Sequence, residues 1–346
     1  MSTQTTPNST GPTGTTGTAG DEAAAAAAAP ATVRHSRSRL TMRRFVRNRL
    51  ALVGVAILVL LFLVAYLGPL FDTWSYEQHD YLAFTSPPTA DHWFGTTQSG
   101  QDLFALTTRG LQKSLVIGLL TGVLATLMAA LAGAFSAYYS GWTDRVVMWV
   151  VDLLLVMPSF LILAVLSPLF RTSGWIIFVV LISVFSWMIT GRVVRSMTMT
   201  LRDREFVKAA KYMGVPGPVI IFRHILPNMA SLLIIDAVIQ VGGAVVFEST
   251  LSYFGFGIQP PDVSLGTVIS LNETNATAYP WLFFFPAAFL VLIGLSVSFI
   301  GDGLRDALDP NSANAKAKWT EKLDQRTDLM ARNTAPGKAS EVLNPS

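Results

Sequence analysis

Long uncharged apolar runs alternate with short charged segments along this chain, so its polar residues are segregated rather than spread through every element. Six of these runs approach the roughly 20 residues that an α-helix needs to cross the hydrocarbon core of a bilayer. Hydrocarbon offers no partner for backbone polar groups, and each single crossing is therefore predicted to be a helix. The pattern predicts an all-α integral membrane protein with six transmembrane helices, at residues 50–71, 114–140, 146–170, 173–190, 229–254 and 279–301.

The segments around these runs define the predicted organisation of the chain. Residues 1–33 are mostly Thr, Gly, Ser, Pro and Ala, and such a segment buries too little apolar surface to offset its ordering entropy. The run at 50–71 is longer than a secretory signal core and lacks a small-residue cleavage site, which indicates a retained first helix. The predicted parts are a disordered cytoplasmic tail 1–33, a basic flank with the first helix 34–71, an outer loop 72–113, a five-helix core 114–303 containing a cytoplasmic loop 191–228, and a cytoplasmic tail 304–346.

Composition and charge agree with this organisation. The chain is 51% apolar and only 14% charged, well below the roughly 25% charged residues of soluble domains. Of its 25 Lys and Arg residues, 22 fall on one side of the six-span arrangement and three, Arg109, Lys113 and Arg171, on the other. The positive-inside rule therefore predicts that both termini lie in the cytoplasm. Because the basic residues flank apolar spans rather than cover a polar domain, no nucleic-acid partner is predicted.

Several kinds of chemistry are excluded by what the sequence lacks. There is no cysteine, so thiolate metal sites and cysteine nucleophiles do not arise. No phosphate-binding loop of the form G-x-x-x-x-G-K-[ST] occurs, since Gly337-Lys338 is followed by Ala339. The chain is therefore predicted to be neither an enzyme nor an ATPase. It is also predicted to hold no metal, because its histidines are far apart and form no H-x-x-x-H pair: His35, His79, His92 and His224.

The loop between the fourth and fifth predicted spans has features of a docking surface. Thr200 with Asp203 three residues later fits a capping box, which predicts that a helix begins there. Gly214 predicts the end of that helix, and a second short helix is predicted at 219–225 with Pro227 ending it. The adjacent small residues Ala209 and Ala210 would leave room for another surface to approach closely.

This loop resembles the permease subunits of ABC importers, which carry an E-A-A-x-x-x-G pattern followed by I-x-L-P. The sequence departs from the general pattern at Lys208, where Glu stands, and at His224, where Ile stands. Both departures resemble the peptide and nickel branch of the family, which typically has E-Y/F-V-x-A-A and then R-H-I-L-P-N. The residues that match this branch and that the resemblance assigns to ATPase coupling are Glu205, Ala209, Ala210, Gly214, Arg223, His224 and Pro227.

Three further segments are similar to the same branch. Residues 248–257 resemble its E-x-x-L-S-F-L-G-L-G motif, and residues 301–310 match the end of these subunits almost letter for letter. In the outer loop, Thr97 and Gln101 replace the acidic and basic residues of the branch motif F-G-T-D-x-x-G-R-D. The residues of this outer-loop motif that do match are Phe94, Gly95, Thr96, Gly100 and Asp102.

The resemblance covers about residues 40–312 and carries expectations about fold and function. It implies the type I ABC importer permease fold in a bacterial cytoplasmic membrane, with this chain forming half of a pathway for dipeptides or oligopeptides. It also implies a second permease, two ATPase subunits that bind ATP and Mg, and an external solute-binding protein. Related systems leave nickel, heme, glutathione or another small solute open as alternative substrates.

Three acids fall within or at the edges of the predicted spans: Asp152, Asp236 and Glu248. Charge inside a membrane is costly and usually faces protein or water, so these residues are predicted either to pair inside the bundle or to line a pathway. Pro158 in the third span predicts a kink.

Two other functions remain open. An intramembrane enzyme would need His224 beside Asp152 in a buried cavity, and a self-contained channel or carrier would show internal repeats or interrupted helices.

Overall fold

The structure is a computed structural model that describes residues 37–170, 174–259 and 261–308. The predicted tail 1–33 and the residues after 308 lie outside this described part. Residues up to Leu40 group separately from a unit that starts at Thr41. The α-helices of the described residues are α1 Arg37–Arg47, α2 Arg49–Phe71, α3 Leu103–Tyr139, α4 Gly141–Val156, α5 Ser159–Leu166, α6 Ile176–Ser186, α7 Met188–Arg202, α8 Glu205–Tyr212, α9 Gly217–Ile220, α10 Ala230–Tyr253, α11 Leu265–Asn272 and α12 Trp281–Leu308.

Helix length and composition support the six predicted spans. Four helical stretches in the described residues are long and apolar enough to cross a membrane: Arg49–Phe71, Leu103–Tyr139, Gly217–Tyr253 and Trp281–Leu308. Two bent pairs bring the number to six if each pair is one span, and they are α4 with Ser159–Leu169 at 83° and α6 with α7 at 48°. The kink predicted at Pro158 is confirmed, because this proline stands at the break before α5.

Helix α3 is the centre of the bundle, contacting α10, α7, α6, α4 and α2. Small residues allow these close contacts, as expected where helices associate in a membrane. A methyl group added at Gly122 would lie 2.9 Å from the carbonyl oxygen of Ala237 on α10. One added at Gly133 would lie 2.9 Å from Cβ of Val194 on α7. Helix α12 covers α2 in a similar way, since a methyl group at Gly54 would lie 2.8 Å from the carbonyl oxygen of Ser296.

The helices of the 191–228 segment differ from the prediction in two places. Thr200 does not begin a helix; it lies in the last turn of α7, where its hydroxyl donates to the Ser196 carbonyl at 3.4 Å. The next helix begins at Glu205 instead. Pro227 does not end a helix either, because Gly217–Tyr253 is one continuous helical stretch. A π-helical turn at Ile221–Ile225 and a 3₁₀ turn at Leu226–Met229 change the local hydrogen-bond pattern. The helix therefore continues although Pro227 has no N–H to donate.

Candidate functional site

A tight turn at Gly214 joins α8 to α9. The two helices and this turn are called the α8–α9 hairpin. The residue has a left-handed φ of +77°, the conformation that glycine adopts without steric cost. Its N–H donates to the Lys211 carbonyl at 3.0 Å, and the Val215 N–H donates to the Ala210 carbonyl at 3.1 Å. These two bonds form a Schellman motif, which satisfies carbonyls at the end of α8. The role predicted for Gly214 as a helix end is confirmed.

The two alanines of this segment face in opposite directions. Ala209 is exposed, whereas Ala210 is only 2% exposed and packs with Val194, Ile220 and Ile221 in one apolar cluster. The close approach that Ala210 permits is therefore made by α9 and the π turn of the same chain. Only Ala209 of the pair is on the surface that a partner would meet.

The tip of this hairpin and the groove beside it are open. Tyr212 is 91% exposed and Met213 is 76% exposed, although both are apolar enough to pack in a core. Next to them lies a groove of about 900 Å³, lined by two tyrosines of α3, three basic side chains of α7 and α8, and the acid Asp203. The residues that give the groove its character are Tyr138, Tyr139, Arg202, Lys208 and Lys211.

The remaining coupling candidates surround the same hairpin. Glu205 begins α8 and is exposed, and Arg223 and Pro227 are exposed in the π and 3₁₀ turns that lead into α10. His224 is half-buried, and its carbonyl accepts a bond from the Asn228 amide at 2.6 Å. Tyr138 and Tyr139 were not predicted as site residues, because they belong to a transmembrane run and only the fold brings them to the loop.

The outer-loop motif forms an ordered turn that leads into α3. Gly95 and Gly100 have left-handed φ values of +81° and +75°, and Thr96 pairs with Asp102 in an antiparallel bridge. The Thr96 hydroxyl donates to the Ala83 carbonyl at 2.6 Å. Asp102 caps α3 by accepting the Ala105 N–H at 2.8 Å. Beyond the turn, Phe94 stacks on Phe285 of α12 with ring centroids 4.1 Å apart.

His92 completes this turn and was not singled out by the sequence analysis. The side chain is 4% exposed, and its Nδ1 lies 2.8 Å from a carboxylate oxygen of Asp102. Its Nε2 lies 3.4 Å from Asp80, and the ring of Trp74 covers it with centroids 4.9 Å apart. The imidazole thus ties the start of the outer loop to the cap of α3. No local sequence pattern signals such a contact, since Asp80 and Asp102 lie 12 and 10 residues away.

Two basic residues of α3 gather around one acid near this turn. The ammonium of Lys113 lies 2.7 Å from Asp262, and the guanidinium of Arg109 lies 3.8 Å from the same carboxylate. Arg109 also lies over the ring of Tyr76, 5.2 Å from its centroid. The hydrogen bond that Tyr76 donates to Glu77 raises the pKa of the Tyr76 phenol, so the ring under the guanidinium stays neutral.

Glu248 is fully buried in a network of hydroxyl groups. Its carboxylate accepts bonds from Ser252 at 2.6 Å and from Ser114 of α3 at 3.4 Å. Ser252 is also bonded to Ser264, which caps the N-terminus of α11, at 3.2 Å. Ser114 in turn accepts the Leu265 N–H at 3.2 Å. These contacts join α3, α10 and α11.

Asp236 sits in a different setting, at the wall of a cavity. One carboxylate oxygen accepts from Thr126 of α3 at 2.9 Å, and the other accepts from Thr190 of α7 at 2.6 Å. The cavity beside it has a volume of about 390 Å³ and also contains Ser231 and Arg305 in its lining. Asp236 therefore has hydroxyl donors on both carboxylate oxygens and lies in the lining of a cavity.

Asp152 is a surface residue of α4. Its side chain is 61% exposed and pairs with Arg192 of α7. The described residues contain no group of three or more His, Cys, Asp or Glu side chains placed to hold a metal ion. An intramembrane enzyme would need a buried cavity with Asp152 beside His224. Asp152 does not form this arrangement, because it is exposed and pairs with Arg192.

Comparison with known families shows which family this chain belongs to. The profile of a family described as "Binding-protein-dependent transport system inner membrane component" matches residues 122–313. The chain belongs to this family. A second profile, described as "N-terminal TM domain of oligopeptide transport permease C", matches residues 36–88. This transport family consists of membrane permeases, so the predicted all-α ABC permease is confirmed, as is the prediction that the chain is not itself an enzyme.

This chain matches most of the length of each of two curated relatives. A protein of Mycobacterium tuberculosis named "Oligopeptide transport system permease protein OppC" is 52% identical over 81% of this chain and 97% of its own. A Bacillus subtilis protein of the same name is 35% identical over 78% of this chain and 88% of its own. A solved structure titled inward facing conformations of the MetNI methionine ABC transporter aligns with a TM-score of 0.48 at 17% identity, over 59% of this chain and 97% of that one.

Membership of this transport family has two general consequences. An inner membrane component of a binding-protein-dependent system lies in a membrane, in agreement with the apolar helices, and it works in a complex with other subunits.

Proposed function

We propose that this permease imports short peptides as half of a translocation pathway. The observation that carries the proposal is the 52% identity to a protein named as an oligopeptide permease, over 97% of that protein's length. The second profile match, at residues 36–88, adds the N-terminal helix of the same kind of permease. Import of nickel, heme or glutathione is the alternative, and no residue described above favours a metal ion over a peptide.

The importer would contain subunits that supply what this chain lacks. A second, related permease would complete the pathway, two ATPases would bind ATP and Mg, and an external solute-binding protein would deliver the peptide. Lipid surrounds the remaining helices, and nucleic acid has no part in this function. On the predicted topology, both termini and the α8–α9 hairpin lie in the cytoplasm, where ATP is present.

Coupling to the ATPase would take place at the α8–α9 hairpin. The exposed Tyr212 and Met213 supply apolar contacts, and the adjoining basic groove of about 900 Å³ is large enough to receive a protruding segment of a partner. Ala209 permits close approach, whereas Ala210 packs against α7, α9 and the π turn. Because α9 runs without interruption into α10, a push on the hairpin would be transmitted along a spanning helix.

The outer turn would face the opposite partner. Its two left-handed glycines and the His92 contacts give residues 94–102 a fixed shape, which a docking surface for the solute-binding protein or the second permease requires. On the predicted topology this turn lies outside the cytoplasm, on the side where the peptide arrives.

The proposal is tested by reconstituting the assembled complex in proteoliposomes and measuring the accumulation of radiolabelled tri-alanine. We expect accumulation that requires hydrolysable ATP, the solute-binding protein and this chain. The same vesicles assayed with ⁶³Ni²⁺ provide the comparison of substrates. Accumulation of nickel without tri-alanine, or accumulation of tri-alanine without ATP, would contradict the proposal.

A further inference from the structure

The cavity at Asp236 places a carboxylate and a guanidinium at one level of the bundle. A methyl group at Gly242 of α10 would lie 3.0 Å from Val297 of α12, and one at Gly301 would lie 3.5 Å from Ile239, so the two helices run antiparallel here. One turn further along each helix, Arg305 comes level with Asp236, and both residues line the same cavity of about 390 Å³.

The Asp236 carboxylate keeps capacity to bind a ligand. It accepts one hydroxyl bond on each oxygen, from Thr126 and Thr190. An ionised carboxylate has about four acceptor positions, so about two remain for a group in the cavity. The ion pairs between described residues do not join Asp236 to Arg305, and the two opposite charges face the cavity separately.

Both charges stand on a surface that this chain leaves open. Beside them, Val193 of α7 is 43% exposed and Ile239 of α10 is 56% exposed. Lipid cannot solvate a carboxylate within a spanning segment, and intramembrane acids usually face protein or a water-filled path. The polar groups Thr190, Ser231, Asp236 and Arg305 lie among apolar neighbours in this lining, and in a permease that forms half of a pathway we take this surface as the one that meets the path.

We propose that this cavity is a transient binding site for a short zwitterionic peptide, with its ammonium on Asp236 and its carboxylate toward Arg305. The inference rests on the proposed peptide import and adds the group of the substrate that the permease itself contacts. The cavity has room for two or three small residues, and a peptide that short spans about 10 Å when extended. Thr126 and Thr190 hold the carboxylate in place, and Ser231 offers a further polar contact.

The test measures uptake of three probes by the assembled complex in proteoliposomes: tri-alanine, N-acetyl-tri-alanine and tri-alanine amide. Affinity of the solute-binding protein for each probe is measured first, and rates are compared at saturation so that delivery is equal. We expect Asp236→Asn to slow probes with a free amine about tenfold and to leave the acetylated probe unchanged, as fits the loss of one charge-assisted bond. Arg305→Gln should slow probes with a free carboxylate and leave the amide unchanged.

Asp152→Asn is the matched control, because it removes the charge of a span acid outside the cavity and should leave the ratios between probes at their wild-type values. Either cavity variant is sufficient if the other fails to assemble. Equal effects on all three probes, or no effect on any, would overturn the site while leaving peptide import intact. Failure of the wild-type complex to accumulate any probe would instead overturn the proposed function.

Discussion

Glu248 shows how contacts that form only in the fold bear on the interpretation of a single residue. A charged side chain within a span usually indicates a pathway, but its carboxylate is enclosed by hydroxyl groups from three helices. These contacts of Glu248 depend on Ser114, which is distant in sequence, and on Ser264, which caps α11. No periodicity or spacing of Glu248 itself distinguishes it from Asp236.

We therefore predict that Glu248→Ala destabilises the subunit. The substitution leaves the buried hydroxyls of Ser252 and Ser114 without their acceptor, at a cost of about 1–3 kcal/mol for an unsatisfied group. Thr250→Ala on the same helix is the control, because that hydroxyl is exposed and bonds only its own helix, at Val246. The measurement is the thermal unfolding temperature of the purified subunit in detergent, and equal temperatures for both variants would contradict the role given to Glu248.

Other residues divide according to whether local chemistry or tertiary contact decides their role. Gly214 was predicted correctly because a helix end that requires a left-handed φ selects glycine within a few residues. His92 was missed, and the burial of Ala210 was not foreseen, because both depend on segments that only the fold brings together. The assignment of the coupling and outer-loop residues to partner contacts stays a prediction.

At the scale of elements, the sequence specifies where spans lie better than how each one is built. Uncharged length alone locates α2, α3, α10 and α12, because the bilayer fixes the number of apolar residues. The third span breaks at Pro158, whereas the unbroken passage through Pro227 depends on local π and 3₁₀ turns. Proline therefore predicted the break at 158 correctly and the helix end at 227 wrongly.

The packing of α11 gives a prediction for an element. A methyl group at Gly266 would lie 2.6 Å from Cα of Ser249 on α10, so Gly266→Ala must push two backbones apart. We expect a loss of about 1–3 kcal/mol, as for overpacked cores. Gly294→Ala is the matched control, since nothing lies within 4 Å of the added methyl group and alanine favours the helix. Unfolding temperatures that fall equally in the two variants would contradict this packing.

At the scale of the whole molecule, the distribution of basic residues predicts how the bundle is inserted. With 22 of 25 Lys and Arg on one side, both termini should be cytoplasmic. Cysteines introduced singly at Ser346 and at Ser99 in the outer turn test this arrangement, because the natural chain has none. We expect a membrane-impermeant maleimide to label intact cells at Ser99 and not at Ser346. Labelling of Ser346 in intact cells would contradict the six-span topology.

The central claim is that this permease is driven by ATPases through the α8–α9 hairpin, and one pair of variants tests it most directly. Gly214 and Gly255 both have left-handed φ values, +77° and +79°, and nothing lies within 4 Å of a methyl group added at either. Their aspartate variants therefore carry similar backbone strain, while only Gly214→Asp adds charge at the hairpin.

The measurement is ATPase stoichiometry and peptide-stimulated ATP hydrolysis in the purified complex. We predict that Gly214→Asp inserts normally but loses ATPase binding or stimulated hydrolysis, whereas Gly255→Asp retains both. Wild-type stoichiometry and stimulation in Gly214→Asp, or equal losses in the two variants, would contradict the account.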